Sequence, residues 1–272
     1  MRNRLRAALV VAAFVPGAGV AADGRAVEVT PHRALYLMTL DSAKPNSGVA
    51  GANGTLAYQW GETCDGWTIE QRYKLAMEYE DDPAAEIGSA FVTWESKDGL
   101  SYRFNERKTR NGQLEEEIRG EATLNAKDHA GVAKFVKPKE QTLDLPKGSF
   151  FPTAHTLTLI RKGEAGESFL AAPVFDGSEF EAAVLISAVI GPKTAVGAVV
   201  PVSDVKSPLL LRPSWKIRLA FFPESSKEER PDYELGMRLL DSGISSEMII
   251  DYGDYVVRAK LQELEPMPKP AC

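Results

Sequence analysis

The run WTIEQRYKLAMEY, residues 67–79, decides the fold. Trp67, Ile69, Tyr73, Leu75, Met77 and Tyr79 fall on one side of an extended chain, and Thr68, Glu70, Arg72, Lys74 and Glu78 on the other. Alternation with a period of two puts one face on a core and the other in water, the pattern of a half-buried antiparallel strand. Working outward, the pattern returns at Trp215, Ile217, Leu219 and Phe221. It returns again at Tyr255, Val257, Ala259 and Leu261, opposite Arg258, Lys260 and Gln262. The core is expected to be sheet.

Turn dipeptides stand between such runs at Asn53-Gly54, Asp98-Gly99, Asn111-Gly112, Asp176-Gly177 and Ser242-Gly243. Glycine takes positive φ without cost, and asparagine or aspartate tolerates it, so consecutive hairpins are expected. From Val27 to Leu264 the runs number roughly a dozen or more, which at this length fits one domain. One segment departs from the pattern. FFPTAHTLTLIRK, residues 150–162, opens near a proline, closes on Arg161 and Lys162 and is followed by Gly163. These are helix start and stop signals, and they place a short helix near 151–162 although its threonines weaken helix propensity. The fold class is therefore all-β, a long antiparallel sheet curled into an open barrel or spiral with a helix plugging one end.

The ends of the chain bound its location. Arg2, Arg4 and Arg6 precede an apolar run from Ala7 to Val15 and small residues from Gly17 to Ala22, the organisation of a signal peptide cleaved after Ala21 or Ala22. The run is shorter than the roughly 20 apolar residues that span a bilayer. The stretch Ala182 to Val202 is interrupted by Gly191, Pro192 and Lys193 and reads as two buried strands. The expected organisation is a signal peptide over 1–22 and one domain over 23–272, exported to the periplasm with no transmembrane segment. Losing three arginines takes the formal charge from −6 to about −9. So acidic a surface repels nucleic acid, and no long basic cluster offsets it.

Two cysteines remain, Cys64 within TCDGW and Cys272 at the end of EPMPKPAC. In an oxidising compartment an isolated pair is most simply one disulfide; a redox-active pair would call for Cys-x-x-Cys spacing. Prolines 266, 268 and 270 make the last residues an extended, stiff strap. A bridge closing about 200 residues contributes roughly 5 kcal/mol in the chain-entropy account.

Chemistry-bearing residues are few. His32 and His155, with Asp65 or Asp176 and Ser178, could be assembled on paper into a hydrolytic set, but no Gly-x-Ser-x-Gly elbow accompanies them. His32, His129 and His155 lack metal-ligand spacing. The run from Asp251 to Asp254 reads as a tight strand-to-strand turn rather than a calcium loop. Glu115, Glu116 and Glu117 read as a solvated strand face, and Trp60, Trp67, Trp94 and Trp215 as core before ligand cage. No catalytic, cofactor or metal site is expected.

Several segments together match a known pattern: Pro31 to Ala34, Cys64 to Trp67, Phe151 to Thr156, Asp176 to Ser178 and Ile190-Gly191. Pro231 to Glu234, Gly243 to Ser245, Asp251 to Tyr255 and the terminal Cys272 complete it. In order and spacing they resemble the EipB-like cell-envelope integrity proteins of alphaproteobacteria. The resemblance implies a periplasmic β-spiral with the early cysteine joined to the C-terminal one, and a role in envelope integrity. It also implies a tetratricopeptide-repeat protein as partner, and likeness in shape to lipoprotein carriers. Three functions follow in order: a non-enzymatic protein-binding role, carriage of a lipid or lipoprotein in an apolar groove, and hydrolysis of an envelope glycan or peptidoglycan.

Overall fold

A computed structural model describes residues 27–197, 204–223 and 230–272; the signal-peptide reading and residues 198–203 lie outside them. Eight strands come first: β1 (His32–Ala43), β2 (Val49–Glu62), β3 (Gly66–Tyr79), β4 (Ala85–Ser96), β5 (Ser101–Arg110), β6 (Gln113–Leu124), β7 (Gly131–Lys137) and β8 (Gln141–Leu145). The helix α1 (Pro152–Glu164) follows. Then come β9 (Phe169–Val174), β10 (Val184–Ile190), β11 (Ser214–Phe222), β12 (Tyr233–Leu240), β13 (Ser245–Asp251) and β14 (Tyr255–Pro266).

All fourteen strands form one antiparallel sheet in the order β8-β7-β6-β5-β4-β3-β2-β1-β14-β13-β12-β11-β10-β9. The first half winds outward from β1 by hairpins, α1 carries the chain across, and the second half winds back from β9 until β14 pairs with β1. His32 faces Pro266 at one end of that seam and Ala43 faces Tyr255 at the other. The sheet does not close into a barrel. At its ends a single parallel bridge joins Phe150 to Val174, with Phe150 N–H donating to Pro173 O and Phe175 N–H to Phe150 O. Register shifts within β1/β14, β2/β3, β5/β6, β6/β7 and β12/β13 add local twist, which curls so long a sheet.

Inward residues among those described form four apolar clusters, the smallest of them Val29, Trp60 and Trp67. One gathers Tyr36, Met38, Leu75, Met77, Val257 and Ala259 around the seam. A second stacks Tyr102, Phe104, Phe135, Phe151 and Phe175. The third sets Leu159 and Ile160 of α1 against Ile186, Trp215 and Ile217. Burying a ring such as Trp215, 1% exposed, contributes about 4–6 kcal/mol by area.

The helix forms although Phe151 at its N-cap makes no side-chain cap. Pro152 fits the first turn. Thr156 and Thr158 donate their hydroxyls to Pro152 O and Ala154 O, one turn back, which accommodates the threonines within the helix.

One sequence expectation is corrected here, and another lies partly outside the described residues. Asn53-Gly54 is no turn but the middle of β2, and a Cβ on Gly54 would lie 2.0 Å from Lys74 O. Glycine is there because β3 backbone comes close; the β1–β2 turn lies between residues 44 and 48, where Gly48 has φ 68. Only one strand, β10, lies within the described part of 182–202; beyond it there is a single bridge, Thr194 to Ser214.

Candidate functional site

The hairpin between β2 and β3 carries Cys64, and the chain after β14 runs beside it. Met267 N–H donates to Pro31 O, and Cys64 and Cys272 are bonded with Cα atoms 5.7 Å apart. Lys97 lies over the Trp67 ring and pairs with Glu62 near this clasp. Thr63 Oγ1 donates to Asp65 Oδ1 at 2.9 Å, which commits Asp65 to its own turn.

A buried carboxylate holds the plug. Glu95, on the inward face of β4 and 2% exposed, accepts the backbone N–H groups of Thr153 and Ala154, each at 2.7 Å. These are orphan donors of the first helical turn, at the positive end of the helix dipole. Burial pushes the Glu95 carboxyl up to about 7 against the opposing pull of those two bonds and the Thr153 hydroxyl. Tyr102 stacks on Phe151 at 4.9 Å and donates its hydroxyl to Asp176 O. The helix is thereby tied to β4, β5 and the loop before β10.

Two histidines of the matched segments are buried, but neither is arranged as a base. His155 is 4% exposed, its Nε2 has no hydrogen-bond partner, and burial lowers its pKa to about 4. Ser178 Oγ donates to Asp176 Oδ1 at 2.9 Å, an interaction within one turn, and no hydrogen bond joins this pair to His155. His32 shares Nδ1 with Thr30 O at 2.8 Å beside Tyr58 and Trp60, and burial lowers its pKa. The triad geometry of nucleophile, base and orienting acid is absent among the described residues. His129 contacts Ser149 O at 3.3 Å in the loop after β6.

Along β12 and β13 the apolar residues are less completely buried than elsewhere in the core. Leu235, Met237, Met248, Ile250 and Tyr58 point inward yet stay only half-buried. At one mouth Phe221, Tyr233, Tyr252 and Tyr255 form a run of neighbouring rings, with Phe221 and Tyr233 stacked at 4.1 Å. Among their neighbours are charged groups: Lys108 pairs with Glu179 at 2.5 Å and Glu116 at 3.1 Å, and Ser89 donates to Glu106 at 2.6 Å. Burial raises the Glu106 pKa despite that bond.

Other singled-out residues fall as follows. Asp251 Oδ1 accepts Gly253 N–H at 2.8 Å in the tight β13–β14 turn, and Asp254 pairs with Lys44. Among the described residues no three His, Cys, Asp or Glu converge as metal ligands. Glu115 and Glu116 pair with Arg110 and Lys108, and Glu117 stands opposite Arg107. Trp60, Trp67 and Trp215 are buried, but Trp94 is half-exposed on the outer face, a correction to its expected core position. Here β4 turns Phe91, Thr93 and Glu95 inward. Sequence reasoning passed over Glu95 because an acidic residue beside a tryptophan is ordinarily the one in water.

The family profile described as EipB-like matches residues 23–268. The cell envelope integrity protein EipB of Brucella abortus (strain 2308) is 35% identical over 254 residues, covering 91% of this chain and 88% of that protein. A crystal structure from Brucella abortus, described as a beta-barrel-like protein of a domain of unknown function, superimposes with a TM-score of 0.82 at 34% identity. It covers 89% of this chain and 100% of that one. No helix among the described residues is long and apolar enough to cross a membrane. With its sheet, its clasp and these two relatives, the chain belongs to the EipB-like family.

Proposed function

We propose that this protein supports cell-envelope integrity from the periplasm as a non-enzymatic binding protein, and that its partner is a tetratricopeptide-repeat protein. The name of the Brucella relative supports the envelope role. Support for binding comes from one observation: the outer face of β9–β10 is apolar where a solvated strand face should be polar. Phe169, Leu185 and Val189 are 56%, 46% and 55% exposed. Val189 stands opposite Phe169, and Leu185 opposite both Pro173 and Phe222, so they form one strip across neighbouring strands. An exposed apolar strip of this kind characterises protein contact surfaces. The unpartnered His155 and the self-contained Asp176–Ser178 turn support a role without catalysis.

The test is co-purification from periplasmic extract, with wild type against Val189→Asp. Wild type is expected to recover a tetratricopeptide-repeat protein and to restore envelope-stress resistance in a deletion strain; the variant is expected to do neither while keeping its fold. Equal recovery and equal complementation by both proteins would refute the reading.

A second reading, carriage of a lipid or lipoprotein, is favoured by the half-buried apolar wall at Leu235, Met237, Met248 and Ile250. Native mass spectrometry separates it from the first, since a carrier is expected to retain an acyl-bearing ligand.

A further inference from the structure

We propose that the outer face of β4–β8 carries a binding groove for an acidic glycan. The groove has a volume of about 720 Å³ and is open along its length. Its floor is strand backbone at Phe104, Gly120 and Phe135, where both rings belong to the buried core. The register shift between Arg119 and Gly120 bends β6 against β7 at this place. A volume of this order lies in the range of small-ligand sites.

The lining combines carbon surface with three cations and two carboxylates, Glu121 and Glu140. Val92 and Val136 are 40% and 47% exposed at its two sides. Between them a cross-strand row runs Trp94, Arg103, Glu121, Lys134, with Asn105 and Arg119 in the adjacent row. Arg103 lies over the Trp94 ring at 5.1 Å. Arg103, Arg119 and Lys134 are exposed, and none forms an ion pair among the described residues, whereas Arg72 and Lys74 on neighbouring β3 each have one. Arg103, Arg119 and Lys134 stand against two carboxylates of the same lining, Glu121 and Glu140, which leaves the groove one positive charge in excess on a chain of net charge −6, and that local excess, centred on Arg119 and Lys134, favours an anionic occupant.

The other groups narrow its chemistry. A sugar ring presents a C–H face that packs on an indole and hydroxyls that both donate and accept. Glu121 accepts and Arg119 donates, and beneath them the Asn105 Oδ1 is buried without a hydrogen-bond partner among the described residues. A carboxylate on the sugar meets Arg119 and Lys134, where a guanidinium binds in bidentate fashion. An acyl chain would leave these polar groups desolvated and unpaired. The groove lies on other strands than the β9–β10 strip, so the proposal stands or falls apart from protein-partner binding.

The experiment is calorimetric titration of the disulfide-bonded protein with three probes. They are a hexasaccharide of alternating glucuronic acid and N-acetylglucosamine, a neutral N-acetylglucosamine hexamer, and hexaglutamate. The acidic hexasaccharide is expected to bind with Kd of about 0.1–1 mM, more tightly than the neutral sugar, and more weakly as salt rises. Arg119→Glu and Lys134→Glu, both at exposed positions, are each expected to weaken it about tenfold without moving the unfolding midpoint. Trp94→Ala should do the same. Because the Trp94 ring lies against Gly66, the two charge reversals are decisive should that variant be destabilised. Absence of heat with the acidic sugar, unchanged affinity in both charge reversals, or hexaglutamate binding as tightly as the sugar would overturn the assignment.

Discussion

Glu95 joins two elements through four atoms: its two carboxylate oxygens and the two amide nitrogens they accept from. A carboxyl that keeps its proton up to about 7 in the fold and 4.5 in the unfolded chain favours folding in its protonated form. Its contribution is therefore full below pH 4.5 and lost as pH rises to 7. Against the non-titrating Glu95→Gln, the wild type should lose up to about 3 kcal/mol across that window, measured by urea unfolding at a series of pH values. His155 has the opposite sign. Its folded pKa of about 4 lies below the ordinary 6.5, so its neutral form favours folding, and wild type should lose stability relative to His155→Gln as pH falls from 6.5 to 4. At this scale the sequence was partly legible. The cysteines and the helix-opening proline announce themselves by chemistry. Glu95 does not, because period-two reasoning cannot tell which of two adjacent strand residues faces inward when the inner face needs an acceptor for a helix end.

Among elements, α1 shows how packing overrides propensity. Gly163 sits in the last turn, where alanine would ordinarily gain about 1 kcal/mol. A Cβ there would fall 2.8 Å from Cε2 and Nε1 of the buried Trp215 ring. Gly163→Ala should accordingly destabilise, by about 1–3 kcal/mol, as a lowered thermal midpoint. The helix was readable from Pro152, Arg161, Lys162 and the following glycine, since those signals are local. The Asn53-Gly54 error arose from the same locality. A glycine that admits a neighbouring strand and a glycine that makes a turn look alike until the neighbour is placed. For the groove, the sequence shows only alternating charges on β5 to β7; that Trp94, Arg119 and Lys134 share one face depends on register, which no single strand contains.

For the whole molecule, hairpin order was legible and the seam was not. Adjacent strands pair through short turns that the sequence marks, but the β1–β14 pairing joins residues more than two hundred positions apart and leaves no local trace. The bond between Cys64 and Cys272, separated by 208 positions, reinforces that distant pairing. Reduction, or a double Cys→Ser exchange, should lower unfolding free energy by up to about 5 kcal/mol. Denaturant titration with and without reductant reads this directly.

The placement of β14 has a consequence for damaged or unfinished chains. Where the final strand of a sheet is an edge, its loss trims the rim. Here it stands at the middle, with seven strands of the series β1–β8 continuing beyond β1 on one side and β13 back to β9 on the other. A premature stop or a nick that removed the last eighteen residues would delete the keystone and leave two unjoined panels, each with a newly bared long flank. Such a fragment should behave as an aggregation-prone species rather than a slightly shortened protein.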